Sequence, residues 1–385
     1  MGARIMSLSE KRILLAGGGT GGHIYPALAI ADELKLRLPD AEIRFAGTRE
    51  GLESAIVPKA GYSLELIRAA GIERRLTLSN ISNLSQSVLG IADSNRLLGA
   101  FKPDLVIGTG GYVCGPVLLS ARLRKIPILL QEQNAVLGVT NRLLSRFADR
   151  IALGVPEAMQ GIANKKDKIF VTGNPVRPEF FSIRREDVRL KLGLSDEQRL
   201  IVITGGSRGA RNLNLAALEL HQAVIESHPN WTLIHATGRS QWEEIKAHFE
   251  ANNIPVDSKS QRIVPYLEDM PELLHAADLV VSRAGALALA EIAACGLPAI
   301  LIPYPYAAEN HQEKNASTFV AVGAAAMLKD RELQEGVLLR QVEDILNTQG
   351  KLAIMGAASK QLAKPKATEE IADLAIELLA KGDKI

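Results

Sequence analysis

The sequence predicts an α/β protein of two Rossmann-like domains, each a parallel sheet with helices on both faces. Three observations predict it. The chain has 385 residues, which at about 150 per domain fits two. Hydrophobic residues make up 47% and charged residues 23%, enough apolar material for two cores. A unit of apolar strand, glycine-rich turn and helix recurs in both halves, the mark of parallel sheets covered by helices.

In the first half, Arg12-Ile-Leu-Leu-Ala16 runs into Gly17-Gly-Gly-Thr-Gly-Gly22 and then a helix opening at His23-Ile-Tyr-Pro26. Pro26 suits a first helical turn, where a missing N–H costs nothing. The pattern returns at Leu200-Ile-Val-Ile-Thr204, Gly205-Gly-Ser-Arg-Gly209 and a helix from Ala210 to near Glu226. Leu105-Val-Ile-Gly108, the turn Thr109-Gly-Gly-Tyr-Val-Cys-Gly115 and a helix to Leu123 pair off with Leu279-Val-Val-Ser282, Arg283-Ala-Gly-Ala286 and a helix to Ala294. Strands at 126–130 and 297–302 are each expected to end in a polar loop, Gln131-Glu-Gln-Asn134 and residues 303–312. Prolines 175 and 178 put a domain join near 173–178. The expected division is 1–174, 175–364 and a last amphipathic helix within 365–385 (Ile371, Leu374, Ala375, Leu378) that packs back on the first domain. Ligands of open parallel sheets bind beyond the carboxyl ends of the strands, where every glycine turn falls, so the two domains are expected to face each other across a loop-lined cleft.

Composition narrows the function. Lys and Arg number 45 against 43 Asp and Glu, a net charge of +2, too little for a chain that coats nucleic acid. The two cysteines, Cys114 and Cys295, are far apart in apolar stretches and read as reduced thiols. The most apolar stretch, 279–302, is interrupted by Arg283 and Glu291, and residues 1–12 lack an apolar signal core, so neither a membrane span nor a secretory signal is expected. No His, Cys and Asp cluster has metal-ligand spacing. There is no Gly-Lys-Ser/Thr phosphate loop and no Gly-x-Ser-x-Gly elbow.

A glycine turn ahead of a helix offers free N–H groups and a partial positive charge to an anion. Gly17-x-Gly19-x-x-Gly22 fits the dinucleotide fingerprint, but the strand at 42–47 ends without the acid that would hold a ribose. The second half offers a better nucleotide site. Gly205-Gly-Ser-Arg-Gly209, with Ser207, suits a diphosphate, and Glu291, two helical turns beyond Arg283-Ala-Gly-Ala286, could accept from both ribose hydroxyls. The plainer alternative is that Glu291 caps or pairs on a helix surface. His23, at the end of the first glycine turn, is a candidate general base or a residue that only orients the loop. His221, His228, His235, His248 and His275 have no partner spacing and are expected at the surface or in packing.

The first glycine turn with its helix (residues 17–29), Gly108-Thr-Gly-Gly-Tyr-Val-Cys-Gly-Pro116, Gln131-Glu-Gln-Asn134, Gly173-Asn-Pro-Val-Arg177, Gly205-Gly-Ser-Arg-Gly-Ala210, Arg283-Ala-Gly-Ala286 with Glu291-Ile-Ala-Ala-Cys-Gly-Leu-Pro298, and Asn310-His-Gln-Glu-Lys-Asn-Ala316 all resemble, in order, the motifs of the MurG family of glycosyltransferase family 28. The resemblance implies a GT-B fold. It also implies inverting transfer of N-acetylglucosamine from UDP-N-acetylglucosamine to the C4 hydroxyl of undecaprenyl-diphospho-N-acetylmuramoyl-pentapeptide, a step of peptidoglycan synthesis that yields lipid II and UDP.

Carried onto these residues, the resemblance puts Thr20, Gly21, Gly22, Asn134 and Arg177 at the donor, Ser207 at its diphosphate, the backbone of Leu267 near the uracil, Glu291 at the ribose and Gln312 and Asn315 at the sugar hydroxyls. His23 would be the base, and Thr109, Gly110, Gly111 and Tyr112 would form the acceptor-side loop. Arg177 and helix N-termini would stabilise the departing diphosphate without a cofactor or dedicated metal, leaving room for stimulation by a divalent ion. Ala284 and Ala288 stand where some relatives carry hydroxyl residues, and His311 where some carry a second glutamine.

A lipid-linked acceptor implies a peripheral protein on the cytoplasmic face of the cell membrane, in contact with its anionic surface. Residues 72–78, the helix near Asn80 (Ile81, Leu84, Val88, Leu89, Ile91) and Arg68, Arg74, Arg75, Arg122, Arg124 and Lys125 could supply the contact, although an apolar helical stripe is also what a core needs. Two alternatives stay open from the residues alone: an epimerase of UDP-N-acetylglucosamine on the same fold, and a non-enzymatic nucleotide-sugar sensor or dinucleotide module.

Overall fold

The computed structural model describes residues 10–70, 78–162, 166–206 and 209–382, with the side chains of 78–88, 166 and 382 excepted. The chain divides into two compact units, residues 1–176 with 366–385, and residues 177–365. The joins lie two residues and one residue beyond those expected. The Val176 side chain is buried and its carbonyl accepts the Thr368 hydroxyl at 3.3 Å, which holds both ends of the connection on the first unit.

The first unit runs β1 (Arg12–Gly17), α1 (Gly21–Arg37), β2 (Glu42–Gly47), α2 (Glu53–Lys59), β3 (Ser63–Leu66), α3 (Leu78–Phe101), β4 (Leu105–Gly110), α4 (Cys114–Leu123), β5 (Ile128–Glu132), α5 (Val139–Leu144), β6 (Arg150–Leu153) and β7 (Ile169–Val171). Its seven strands lie in the order β3-β2-β1-β4-β5-β6-β7. The strand pairs are parallel, for example Ile13 beside Ile43 and Leu105. Alternation along β1 fills both faces: Ile13 and Leu15 enter one core, Leu14 and Ala16 the other.

The second unit runs α6 (Glu179–Ser182), α7 (Arg185–Lys191), β8 (Arg199–Thr204), α8 (Arg211–Glu226), β9 (Trp231–Ala236), α9 (Trp242–Ala251), β10 (Gln261–Val264), α10 (Met270–Ala276), β11 (Leu279–Ser282), α11 (Ala286–Cys295), β12 (Ala299–Leu301), α12 (His311–Ala321), β13 (Ala325–Met327), α13 (Val337–Asn347) and α14 (Lys351–Gln361). Its sheet order is β10-β9-β8-β11-β12-β13. In each unit the order reverses direction between the first and fourth strands (β1 and β4, β8 and β11), which places two strand-end turns side by side at the switch point.

The last helix, α15 (Ala367–Gly382), belongs to the first unit. Ile371, Leu374, Ala375, Leu378 and Leu379 are part of the same core as β1 and α1. Ile371 has no exposed surface, so Ile371→Ala should cost about 2–5 kcal/mol of first-unit stability, read as a lower denaturant midpoint for that unit. An unchanged midpoint would show that the helix is not integral to it.

One local expectation is corrected, and another holds with a detail the spacing did not give. β5 continues through Gln131 and Glu132, because both side chains find partners in the interior and the polar pair stays in the sheet. His221 and His235, without partner spacing in sequence, stack at 5.4 Å between ring centroids, with Nε2 of the first 3.3 Å from Nδ1 of the second. Burial pushes His221 down to about 4 and His235 well below its ordinary value, so the pair stays neutral near pH 7. No helix among the described residues is long and apolar enough to cross a membrane.

Candidate functional site

At the switch point of the first unit, β1 ends in the glycine turn and β4 ends in Thr109-Gly-Gly-Tyr112. The two loops fit because their glycines carry no Cβ. One on Gly17 would overlap the Thr109 hydroxyl, and one on Gly111 the carbonyl of Gly18. Gly110 and Gly111 have φ of +108° and +83°, which L side chains rarely adopt. Thr109 is fully buried and spends its hydroxyl on the His23 carbonyl at 2.8 Å, so it orders the loop rather than presenting a side chain. Thr20 and Gly22 are exposed at the head of α1, with Gly21 and His23 half-buried.

His23 is clamped by the neighbouring strands. Its Nδ1 lies 3.0 Å from the Thr109 carbonyl oxygen and 3.2 Å from Gln133 Oε1. The Gln133 amide nitrogen donates to Thr109 O at 2.6 Å and also to Gln131 Oε1, which turns its oxygen toward the imidazole. Both neighbours of Nδ1 are therefore acceptors, and Nδ1 carries the hydrogen. The basic lone pair is on Nε2, as a general base needs. The clamp extends through Gln131 to Asn174, whose amide donates to the Gln133 carbonyl at 3.1 Å.

Asn134 is set by Glu132, a carboxylate only 1% exposed. Glu132 Oε1 accepts from the Asn134 N–H and side-chain amide at 3.0 and 3.1 Å, and Oε2 from Gly138 N–H and the Asn141 amide at 3.2 and 2.9 Å. A buried charge needs such partners. Sequence reasoning named Asn134 but missed Glu132, Gln133, Asn141 and Asn174. The available signal was a run of four polar residues closing an otherwise apolar strand.

In the second unit, Ser207 lies outside the described residues. The turn around it bends at Gly206 and Gly209 (φ +79° and +77°) ahead of α8. Glu291 sits half-buried on α11, and desolvation pushes its carboxyl up to about 7 although Arg177 opposes the shift. The structure thus groups Arg177 with Glu291. The Arg177 guanidinium also lies over the Phe180 ring, 5.3 Å from its centroid. Leu267 has a buried side chain, 3% exposed. Gln312, half-buried, accepts the Tyr304 N–H on Oε1 at 2.9 Å, and Asn315, which is buried, donates to the Ala284 carbonyl at 3.2 Å. Both brace the loops after β11 and β12 through these bonds. Arg283 binds the carbonyls of Ile302 and Pro303 at 3.1 Å each and pairs with Asp330 at 2.6 Å.

Burial pushes both thiols, Cys114 and Cys295, up to about 12, which makes them poor nucleophiles. Among the described residues no group of three or more His, Cys, Asp or Glu is placed to hold a metal ion.

Of the cations expected at a membrane, two are engaged within the unit. Asp93 takes Arg68 bidentately at 2.7 Å for both bonds, and Arg124 donates to Asn95 at 2.6 and 3.0 Å. Arg122 and Lys125 are exposed beside Leu123, itself 73% exposed. Arg74, Arg75, most of the 72–78 stretch and the side chains of Ile81, Leu84 and Val88 lie outside the described residues. Leu89 is exposed and Ile91 half-buried.

Comparison with known proteins narrows what such a pair of sites belongs to. The glycosyltransferase family 28 N-terminal domain matches residues 13–153, and the glycosyltransferase family 28 C-terminal domain residues 200–371. A protein of Desulforudis audaxviator (strain MP104C) is 46% identical over 97% of this chain and 100% of its own length, and one of Desulforamulus reducens is 43% identical over 94% and 96%. Both are named UDP-N-acetylglucosamine--N-acetylmuramyl-(pentapeptide) pyrophosphoryl-undecaprenol N-acetylglucosamine transferase. The crystal structure of Acinetobacter baumannii MurG superposes with a TM-score of 0.72 at 29% identity, covering 95% of this chain and 99% of that one. A UDP-GlcNAc 2-epimerase from Neisseria meningitidis, solved bound to UDP-GlcNAc, covers 96% and 100% at a TM-score of 0.65, but at 15% identity it shares the fold alone. The fold is therefore GT-B with two Rossmann-like parallel-sheet domains, and with near-full-length identity above 40% on top of it, the chain belongs to glycosyltransferase family 28.

Proposed function

We propose that this chain is a hexosyltransferase that moves N-acetylglucosamine from UDP-N-acetylglucosamine to the C4 hydroxyl of undecaprenyl-diphospho-N-acetylmuramoyl-pentapeptide, with inversion, releasing UDP and lipid II. The names of relatives at 43–46% identity over nearly the whole chain support the substrates. The observation that carries the chemistry is the clamped imidazole of His23, with its basic nitrogen set by Thr109 and Gln133.

In this reading the first unit takes the acceptor and the second the nucleotide of the donor. The acceptor proton passes to His23 Nε2 as its oxygen bonds to C1 of the donor sugar. The C1–O bond to the diphosphate breaks on the opposite face, and the electron pair leaves with UDP. Arg177 and the turn at 205–209 take up charge on the departing diphosphate. Glu291 holds the ribose, the Leu267 backbone the uracil, and Gln312 and Asn315 the loops that read the sugar. No resident cofactor is assigned. The lipid tail of the acceptor fits work at a membrane surface, taken in this reading to be its cytoplasmic face, with Leu89, Leu123, Arg122 and Lys125 as the described part of a peripheral contact.

The test is release of UDP from the donor in the presence of a lipid-linked muramyl-peptide in vesicles. Turnover that depends on both substrates and rises with anionic lipid is expected. A protein that converts the donor without acceptor is an epimerase or hydrolase instead. Equal turnover in neutral and anionic vesicles removes the anionic surface from the proposal.

A further inference from the structure

The first glycine turn holds a buried acid that neither the dinucleotide fingerprint nor the reaction above uses. Glu53, the first residue of α2, has no exposed surface. Its Oε2 accepts the N–H of Gly19 at 3.0 Å, and its Oε1 accepts both the N–H and the hydroxyl of Thr48 at 2.9 Å. The single hydroxyl proton of Thr48 is committed to Glu53, so the phenol of Tyr112 is the donor in its 3.3 Å contact with Thr48 Oγ1. The N–H of Gly51 reaches the same oxygen at 3.2 Å.

Three glycines make room for the carboxylate. A Cβ on Gly18 or Gly47 would come within 2.7 and 2.5 Å of the Glu53 side chain, and one on Gly51 would overlap its carboxyl group. From the other side the Tyr112 ring closes on Gly19, where φ is +87° and a Cβ would lie 2.7 Å from the ring edge. The stretch Gly18–Gly19 is gripped between an acid and an aromatic ring.

Turns of this kind ordinarily aim successive N–H groups at a bound phosphate. Here the N–H of Gly19 points inward to the protein's own negative group. A phosphate brought against Gly18–Gly19 would meet that charge, so anion binding on this loop is confined to its Thr20–Gly22 end, next to His23. We infer that Glu53 is a positioning residue: through the Gly19 bond it sets the loop that carries His23, and it withdraws the first half of that loop from diphosphate binding. The inference rests on the reading that His23 serves the acceptor.

The experiment uses the full chain with Glu53→Gln, Gly19→Ala and the double variant. It measures UDP release against both substrates well below each unfolding midpoint, and UDP affinity by calorimetry. Glutamine must turn an amide NH₂ toward either Gly19 N–H or Thr48 N–H, so one of those bonds is lost. A fall in kcat of about 10- to 100-fold with UDP affinity within twofold of wild type is expected for each single variant. The double variant should lose less than the product of the two single losses, since both changes displace the same Gly18–Gly19 stretch. Glu53→Gln with wild-type kcat and only a lowered unfolding midpoint overturns the inference. If that variant does not fold, Gly19→Ala with wild-type kcat overturns it instead. Loss of turnover in the wild type itself, with folded protein, overturns the functional reading rather than the role of Glu53.

Discussion

His23→Ala is expected to lower the rate of UDP release by about two to four orders of magnitude, the range for loss of a positioned general base, while the affinity for UDP-N-acetylglucosamine stays within twofold. The expectation follows from the geometry of one ring. With Nδ1 committed to Thr109 and Gln133, Nε2 is the nitrogen that can take a proton. The groups assigned to the ribose, the uracil and the diphosphate are on the other unit, so most of the donor's binding does not depend on the imidazole. Gln133→Leu sharpens the test. It removes the Oε1 contact but not the Thr109 carbonyl, so it should cost less than His23→Ala and alter the pH dependence of kcat. Equal donor affinity with unchanged kcat in His23→Ala would reduce the imidazole to a loop-orienting group.

Glu291→Gln is the second large effect and acts on binding. A carboxylate can accept from both ribose hydroxyls, and each bond to a charged group contributes about 1.5–3 kcal/mol, so donor affinity should fall by tenfold or more. Burial has raised the carboxyl from its ordinary value to about 7. The sign follows directly. Below pH 7 the empty site is mostly protonated, and binding by the ionised form must first release that proton. Donor affinity should therefore level off near pH 8 and weaken by about tenfold on going to pH 6, while Glu291→Gln binds weakly with no such slope. The same shift acts on folding in the opposite direction. A carboxyl that is harder to ionise in the folded state favours folding below its ordinary pKa, and that contribution is lost as pH rises through 7. An equally steep pH slope in Glu291→Gln would assign the titration to another group.

Much of the fold was legible because it depends on local chemistry. Apolar runs of strand length, each followed by a glycine-bearing turn, specify parallel strands and switch-point loops; His23 lies where one such loop ends and Glu291 on the helix that follows another. The partners were not legible, since they come from tertiary packing. Gln133 reaches His23 across 110 positions of sequence, and Glu53 reaches Gly19 across 34. The absent acid at the end of the second strand was a true reading of residues 42–47, yet an acid six positions beyond lies in the interior and points to the first glycine turn. The resemblance put Thr109 in the acceptor-side loop, but the bond from its hydroxyl to the His23 carbonyl, across 86 positions, was not legible. Arg68 was named among the cations that could meet headgroups, and its ion pair with Asp93 of α3, 25 positions away, was not legible.

The return of α15 to the first unit bears on how the chain is made. Residues 371–379 help build the same core as Ile13, Leu15, Ile24 and Leu34, but a ribosome delivers them only after all of residues 177–365. A nascent chain can therefore complete its second sheet while the first still shows an open apolar face, a reversal of the usual amino-terminal-first order. Chains halted before residue 371 would carry that sticky face uncovered, which makes synthesis of residues 371–379 the step that guards against aggregation.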